Sequence, residues 1–152
     1  MKRSFALLLA LGLGATAARA AGSAVSVSGA WSRPASDTAV VYATLHNSGS
    51  TPDRLIGASS SVATHVGLHQ SYEMKMNGGS MSGMAMSGPM VGMKSVASIP
   101  VPAGGMTTLK PGGYHLMVDL KHAVKAGDTI PLRLHFANAG WIDTTVPVKP
   151  IQ

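Results

Sequence analysis

The chain has 152 residues, a formal net charge of +6, ten methionines and no cysteine. Without a cysteine thiolate it cannot be a blue-copper electron carrier, and its scattered lysines and arginines form no basic run of the kind that binds nucleic acid. The sequence contains no nucleophile motif, paired-carboxylate motif or phosphate loop, and only six acidic residues, so an enzyme is disfavoured.

The N-terminus predicts a secretory signal peptide. Lys2 and Arg3 precede a short apolar run, and small residues lead to a cleavage position after Ala20. The run is shorter than the ~20 residues that a spanning helix needs, so no stable membrane insertion is expected after cleavage. We therefore expect a signal peptide at 1–20 and one mature domain at 21–152, located in the periplasm. Without the leader, nine basic and six acidic residues leave a formal charge of +3.

From Val25 onward the sequence consists of short β-branched or alternating runs between turn residues. No helix-length stretch has a 3.6-residue period, and the spacing of the turns predicts eight or nine strands. The expected fold is all-β, a single antiparallel β-sandwich or barrel. The predicted strands are, in chain order, Val25–Ser28, Ala39–His46, Arg54–Ala58, Ala63–Gln70, Lys94–Ile99, Met106–Leu109, Tyr114–Leu120, Thr129–Phe136 and Ile142–Val148.

One segment, at about residues 72–92, departs from this pattern. Most of it is glycine, serine and methionine, which predicts a flexible inserted loop because ordering such a chain costs much entropy. Its six methionines are candidate secondary metal ligands, since thioether sulfur selects Cu(I) over hard cations. A hypothesis is that they capture additional Cu(I), or Cu(II) that is then reduced. These residues are Met74, Met76, Met81, Met84, Met86 and Met90.

The strand that follows the turn at 111–113 carries two further donors. His115 and Met117 are two residues apart and therefore project from the same face of an extended strand, about 7 Å apart. Tyr114, Leu116 and Val118 face the other way and are predicted to be the core side. His115 and Met117 are then expected on the more accessible face, where an imidazole and a thioether can meet one ion.

The spacing of these donors carries a family resemblance. Met93 is followed by 21 residues and then by His115, one residue and Met117, with His69 upstream. Together with the segments at 30–34, 42–49, 53–58 and 109–117, this resembles the periplasmic copper chaperones of the PCuAC type. The resemblance implies a cupredoxin-like fold that binds one Cu(I) ion through these four residues. It also implies delivery to an acceptor cuproprotein, such as a cytochrome c oxidase subunit or assembly factor.

Two departures from the family pattern leave alternatives open. His69 and Met93 have 23 residues between them, where the family usually has about ten, and Ser71 stands where the family often has a methionine. The register of the loop is thus open, and Met74, Met76 or Met90 could take the position given to Met93. The alternative function is copper or silver sequestration through the methionine-rich loop. A third is an exported adhesion or assembly module that binds no metal.

The remaining histidines are predicted to be structural or exposed, and the tryptophans are predicted to be structural. His65 and His69 are four residues apart, which on one face of a strand is about 13 Å and too far to share an ion. We therefore expect His65 to be structural or exposed. Trp31 and Trp141 are expected to be core aromatics.

Overall fold

The computed structural model describes residues 24–74 and 90–152, which form ten strands in two antiparallel sheets. The predicted signal peptide and most of the predicted loop lie outside these residues. The described part of the chain contains no helix long and apolar enough to cross a membrane. The strands are β1 (Val25–Ser32), β2 (Thr38–Asn47), β3 (Asp53–Ser59), β4 (Ala63–Met74), β5 (Met90–Ser95), β6 (Ile99–Val101), β7 (Gly105–Leu109), β8 (Tyr114–Leu120), β9 (Thr129–Phe136) and β10 (Gly140–Pro147).

The larger sheet has the order β1-β2-β8-β4-β5, and β7 pairs with β2 beyond the end of β8. The smaller sheet has the order β10-β9-β3-β6. Strands that follow one another in the chain are often in different sheets, so the connections repeatedly cross between the two layers. The predicted antiparallel β-sandwich is confirmed.

The core lies between the two sheets and follows the period-two alternation of the strands. In β9, every second residue from Ile130 to Phe136 is buried, and the residues between them, except His135, are exposed. In β8, Leu116 and Val118 face this core, as predicted. Because apolar side chains fill the inner face of both sheets, the polar donors on β4 and β8 are left on the outer face.

Two strand predictions in the middle of the chain are wrong. The expected strand Lys94–Ile99 is divided between β5 of the larger sheet and β6 of the smaller one, because the chain crosses between layers at residues 96–98. The β4–β5 hairpin also extends into the predicted loop, with Tyr72 paired to Gly92 and Met74 to Met90. The tyrosine ring and the Met74 methyl lie over Gly92, where no side chain obstructs them.

The tryptophans are not core residues. Trp141 is 53% exposed on β10, where it stacks on His135 with ring centroids 4.1 Å apart. Trp31 is half-buried and contacts Tyr42 on the neighbouring strand. Both rings stand on outer sheet faces, because the inner faces are filled by aliphatic side chains and Phe136.

Candidate metal centre

Three of the predicted ligands lie together on the outer face of β4 and β8. His69 pairs directly with His115, and two positions along the same strands Gly67 pairs with Met117. Paired residues, and residues two apart on one strand, project from the same face. The residues between them are the core side chains, so His69, His115 and Met117 all project outward.

Met93 approaches the same face from β5, the strand on the other side of β4. It pairs with Ser71, which lies two residues from His69. Its side chain is 58% exposed, whereas Met117 is half-buried and His115 is only 2% exposed. The four side chains therefore range in exposure from the buried imidazole of His115 to the exposed thioether of Met93.

His115 has an unpartnered nitrogen in a buried position. Its Nδ1 lies 3.1 Å from the carbonyl oxygen of Gly113, which can only accept a hydrogen bond, so Nδ1 carries the proton and donates it. Nε2 then bears a lone pair, and it is buried without any hydrogen-bond partner. A buried polar atom left in this way costs about 1–3 kcal/mol. A metal ion bound through Nε2 would satisfy it, and the backbone bond to Nδ1 would hold the ring in the ligating tautomer.

His69 completes the pair of imidazoles. Its ring centroid lies 5.8 Å from that of His115, with the ring planes 21° apart. Two imidazoles bound to one ion at about 2 Å have centroids within about 6 Å, so the separation suits a shared ion. Burial lowers the pKa of His69, and the neighbouring His115 and His65 rings lower it further, against an opposing effect of Asp119. The neutral, ligating form is thereby favoured.

Gly67 provides the space that the His69 ring occupies. A Cβ atom at this position would lie 2.8 Å from Nε2 of His69, closer than real Cβ contacts allow. The glycine was not identified from the sequence. The available signal was a glycine between two histidines at strand spacing, opposite the strand that carries Met117, which indicates close approach of a neighbouring group.

The site depends on thioether sulfur. Within residues 24–74 and 90–152, no group of three or more His, Cys, Asp or Glu side chains is arranged to hold a metal ion. Two imidazoles with two thioethers form an uncharged, soft donor set, which is the kind that suits Cu(I) rather than hard divalent cations.

Of the secondary candidates, Met74 lies away from this face. It is three residues from Ser71 on β4, so alternation directs it to the opposite side of the hairpin from His69 and Met93. The backbone of Met90 pairs with that of Met74. The other four candidates, Met76, Met81, Met84 and Met86, lie outside the described residues.

Comparisons with known proteins agree with this architecture. Residues 25–148 match the family model described as LpqE-like. The chain is 33% identical over 127 residues to the "Putative lipoprotein Lxx21020" of Leifsonia xyli subsp. xyli, an alignment that covers 82% of this chain and 69% of that protein.

Solved structures of PCuAC domains share the fold. A copper-bound PCuAC domain from PmoF2 is 23% identical and superimposes with a TM-score of 0.64 over 84% of this chain and 94% of that one. The solution structure of CuI-DR1885 from Deinococcus radiodurans is 28% identical, with a TM-score of 0.57 over 88% of this chain and 85% of that one. The predicted PCuAC resemblance and cupredoxin-like fold are confirmed.

Proposed function

We propose that this chain, which belongs to the LpqE-like family, is an exported chaperone that binds one Cu(I) ion and passes it on by ligand exchange. The observation that carries the proposal is the orphaned Nε2 of His115. It is buried, its tautomer leaves it a lone pair, and it lies on the same face as a second imidazole and two thioethers.

The ligands we assign are His69, Met93, His115 and Met117. All four are neutral donors, so the site does not add charge to a monovalent ion, and thioether sulfur favours the reduced state of copper. The gradient of exposure supports transfer. The exposed Met93 is the ligand that an acceptor can replace first, while the buried His115 holds the ion until exchange is complete.

The proposed setting is the periplasm, reached through the signal peptide at 1–20. The acceptor we propose is a cuproprotein, such as a cytochrome c oxidase subunit or assembly factor, and the role is not catalytic. The relatives support the copper-binding part of this proposal, since one is described as a copper-bound domain and another as a Cu(I) protein. A relative described as a lipoprotein is consistent with an exported chain.

Sequestration is the competing function, and the six methionines between residues 74 and 90 favour it. Stoichiometry separates the two. A chaperone with the assigned site binds one ion tightly after all six are changed to serine. A sequestration protein loses its copper capacity in the same variant.

The direct test is an anaerobic Cu(I) titration against a chromogenic chelator. Met117→Leu keeps the apolar volume and removes the sulfur, and Met106→Leu is the matched control, since Met106 is 58% exposed on β7, outside the site. We expect affinity to fall at least about tenfold in Met117→Leu, as even ligand-supporting residues cost that much when lost. The control should be unchanged. Equal affinity in both variants would contradict the ligand assignment.

A further inference from the structure

His65 lies much closer to His69 than their sequence spacing predicts. Both are on the outer face of β4, with Gly67 midway between them. The position that a Cβ of Gly67 would occupy is 2.8 Å from Nε2 of His69 and 3.4 Å from Nε2 of His65. Both rings thus lean over the glycine, and their Nε2 atoms are no more than about 6 Å apart, less than half the separation expected from strand spacing.

A carboxylate stands beside this pair. Asp119 on β8 pairs directly with His65, and its Oδ1 accepts a hydrogen bond of 3.0 Å from Thr38. Its negative charge acts on His69 across the strand pair, in the direction that raises the pKa of that imidazole. This end of the face therefore combines two imidazoles with an anionic neighbour. Met117 pairs with Gly67 and so lies level with the gap between the two rings, whereas Met93 lies beyond His69 at the far end of the face.

The donors around this pair differ in the ions that they favour. Imidazole suits divalent copper, zinc and nickel, and a nearby carboxylate favours a doubly charged ion over a monovalent one. Thioether sulfur selects Cu(I) instead. His69 is the imidazole that neighbours both His65 and His115.

We propose that His65 and His69 form a second metal position, for a divalent transition-metal ion such as Cu(II), which adjoins the Cu(I) site and shares His69 with it. This inference goes beyond the proposed function. The His65–His69 pair itself does not depend on that function, because neither His115 nor a thioether takes part, and only the sharing of His69 rests on it. Sharing one imidazole makes the two positions mutually exclusive. An ion at the outer pair must leave before His69 can complete the inner site.

The test is a Cu(II) titration of the purified protein against a competing chelator, with electron paramagnetic resonance to count the bound imidazole nitrogens. The variants are His65→Ala and His115→Leu, and His122→Ala is the matched control, since it removes an exposed imidazole outside the face. We expect His65→Ala to weaken Cu(II) binding at least about tenfold and to remove one nitrogen from the spectrum. The His122→Ala control should leave Cu(II) binding unchanged, and His115→Leu should show the same number of bound imidazole nitrogens as wild type.

Cu(II) affinity that is insensitive to His65→Ala, or that is lost in His115→Leu, would overturn the proposal, because the ion would then sit between His69 and His115. If His115→Leu does not fold, the nitrogen count of His65→Ala decides the question: loss of one nitrogen places His65 on the ion, and an unchanged count overturns the proposal. A wild-type protein that binds Cu(II) in the expected way but no Cu(I) would refute the proposed chaperone function and the sharing of His69, and would leave the His65–His69 position standing.

Discussion

His69 and His115 face each other across the antiparallel β4–β8 pair, yet they differ in what surrounds them. The His115 ring is almost fully buried, and its Nδ1 is fixed by a hydrogen bond to a backbone carbonyl. The His69 ring is half-buried and packs over Gly67, where no side chain obstructs it. One imidazole is therefore preorganised by hydrogen bonding and the other by packing. A metal site built this way can keep one ligand in place while the other exchanges.

Replacing His115 by leucine should remove tight Cu(I) binding without destabilising the apoprotein. Leucine has similar volume and no nitrogen to leave unsatisfied, and the Gly113 carbonyl still accepts the amide of Ser71. We expect the free energy of unfolding of the apoprotein to rise by about 1 kcal/mol, the lower end of the penalty for an orphaned buried group. Chemical denaturation of both apoproteins measures this difference.

The order of stability of wild type and His115→Leu should reverse in the presence of copper. Wild type gains stability by mass action, about 2.7 kcal/mol when free Cu(I) is at 100 times Kd, and the variant gains none. A variant that is less stable without copper but is stabilised equally by Cu(I) would show that His115 is a packing residue and not a ligand.

The lowered pKa of His69 predicts how the site responds to acid. Its imidazole should titrate below the ordinary value of about 6.5, so it stays neutral and able to bind metal at a pH where a free histidine is already charged. The thioethers have no proton to gain. The contribution of His69 to Cu(I) binding should therefore persist as pH falls through about 6.5 and weaken only near its lowered pKa.

The lowered pKa of His69 also predicts how folding stability depends on pH. Below about 6.5 the unfolded chain binds a proton at residue 69 that the folded apoprotein does not, so stability falls as pH drops from that value toward the folded pKa. Nuclear magnetic resonance of the His69 ring protons, in the folded protein and in urea, measures both midpoints. A folded midpoint at or above the unfolded one contradicts the prediction.

The fold could be predicted from the sequence wherever one face of a strand is buried. Tyr114–Leu120 and Thr129–Phe136 have the predicted bounds, because alternation between apolar core residues and polar surface residues marks a half-buried strand. The prediction of one strand at Lys94–Ile99 is wrong because the apolar residues of this segment are divided between two sheets. A crossing between layers changes the strand's partners without interrupting the local pattern.

The residues of the candidate site could be predicted from the sequence, but their burial and their contacts with one another could not. Spacing indicated that His115 and Met117 share a face, but the burial of His115 depends on neighbours from other strands. The approach of His65 to His69 depends on side-chain rotation over Gly67. Such contacts are set by tertiary packing, which a strand's sequence spacing does not contain.

Asp53 should matter for stability and not for metal binding. This buried carboxylate accepts hydrogen bonds from the backbone amides of Arg54, Asn138 and Ala139, at 2.7, 2.9 and 2.8 Å, and so joins the start of β3 to the β9–β10 turn. Asp53→Ala leaves these donors without their acceptor, and we expect a loss of about 3 kcal/mol in unfolding free energy.

Urea denaturation measures this cost, and a Cu(I) titration of the folded fraction is the companion experiment. Asp53 lies on the smaller sheet, whereas the metal ligands are on the larger one, so the affinity should match wild type. A loss of Cu(I) affinity in folded Asp53→Ala would mean that the two sheets are coupled through the core.

Gly67→Ala is the most selective way to disturb the site. The new methyl would lie 2.8 Å from Nε2 of His69, which is the far end of a movable side chain, so the ring shifts and the backbone does not. Alanine in place of a strand glycine usually adds about 0.5–1 kcal/mol of stability. We expect Cu(I) affinity to fall at least about tenfold while the unfolding free energy stays equal or rises. Gly57→Ala on β3 is the matched control, because its nearest neighbour would be an ordinary 4.0 Å away. If both alanine variants bind Cu(I) as wild type does, the position of the His69 ring does not determine the affinity.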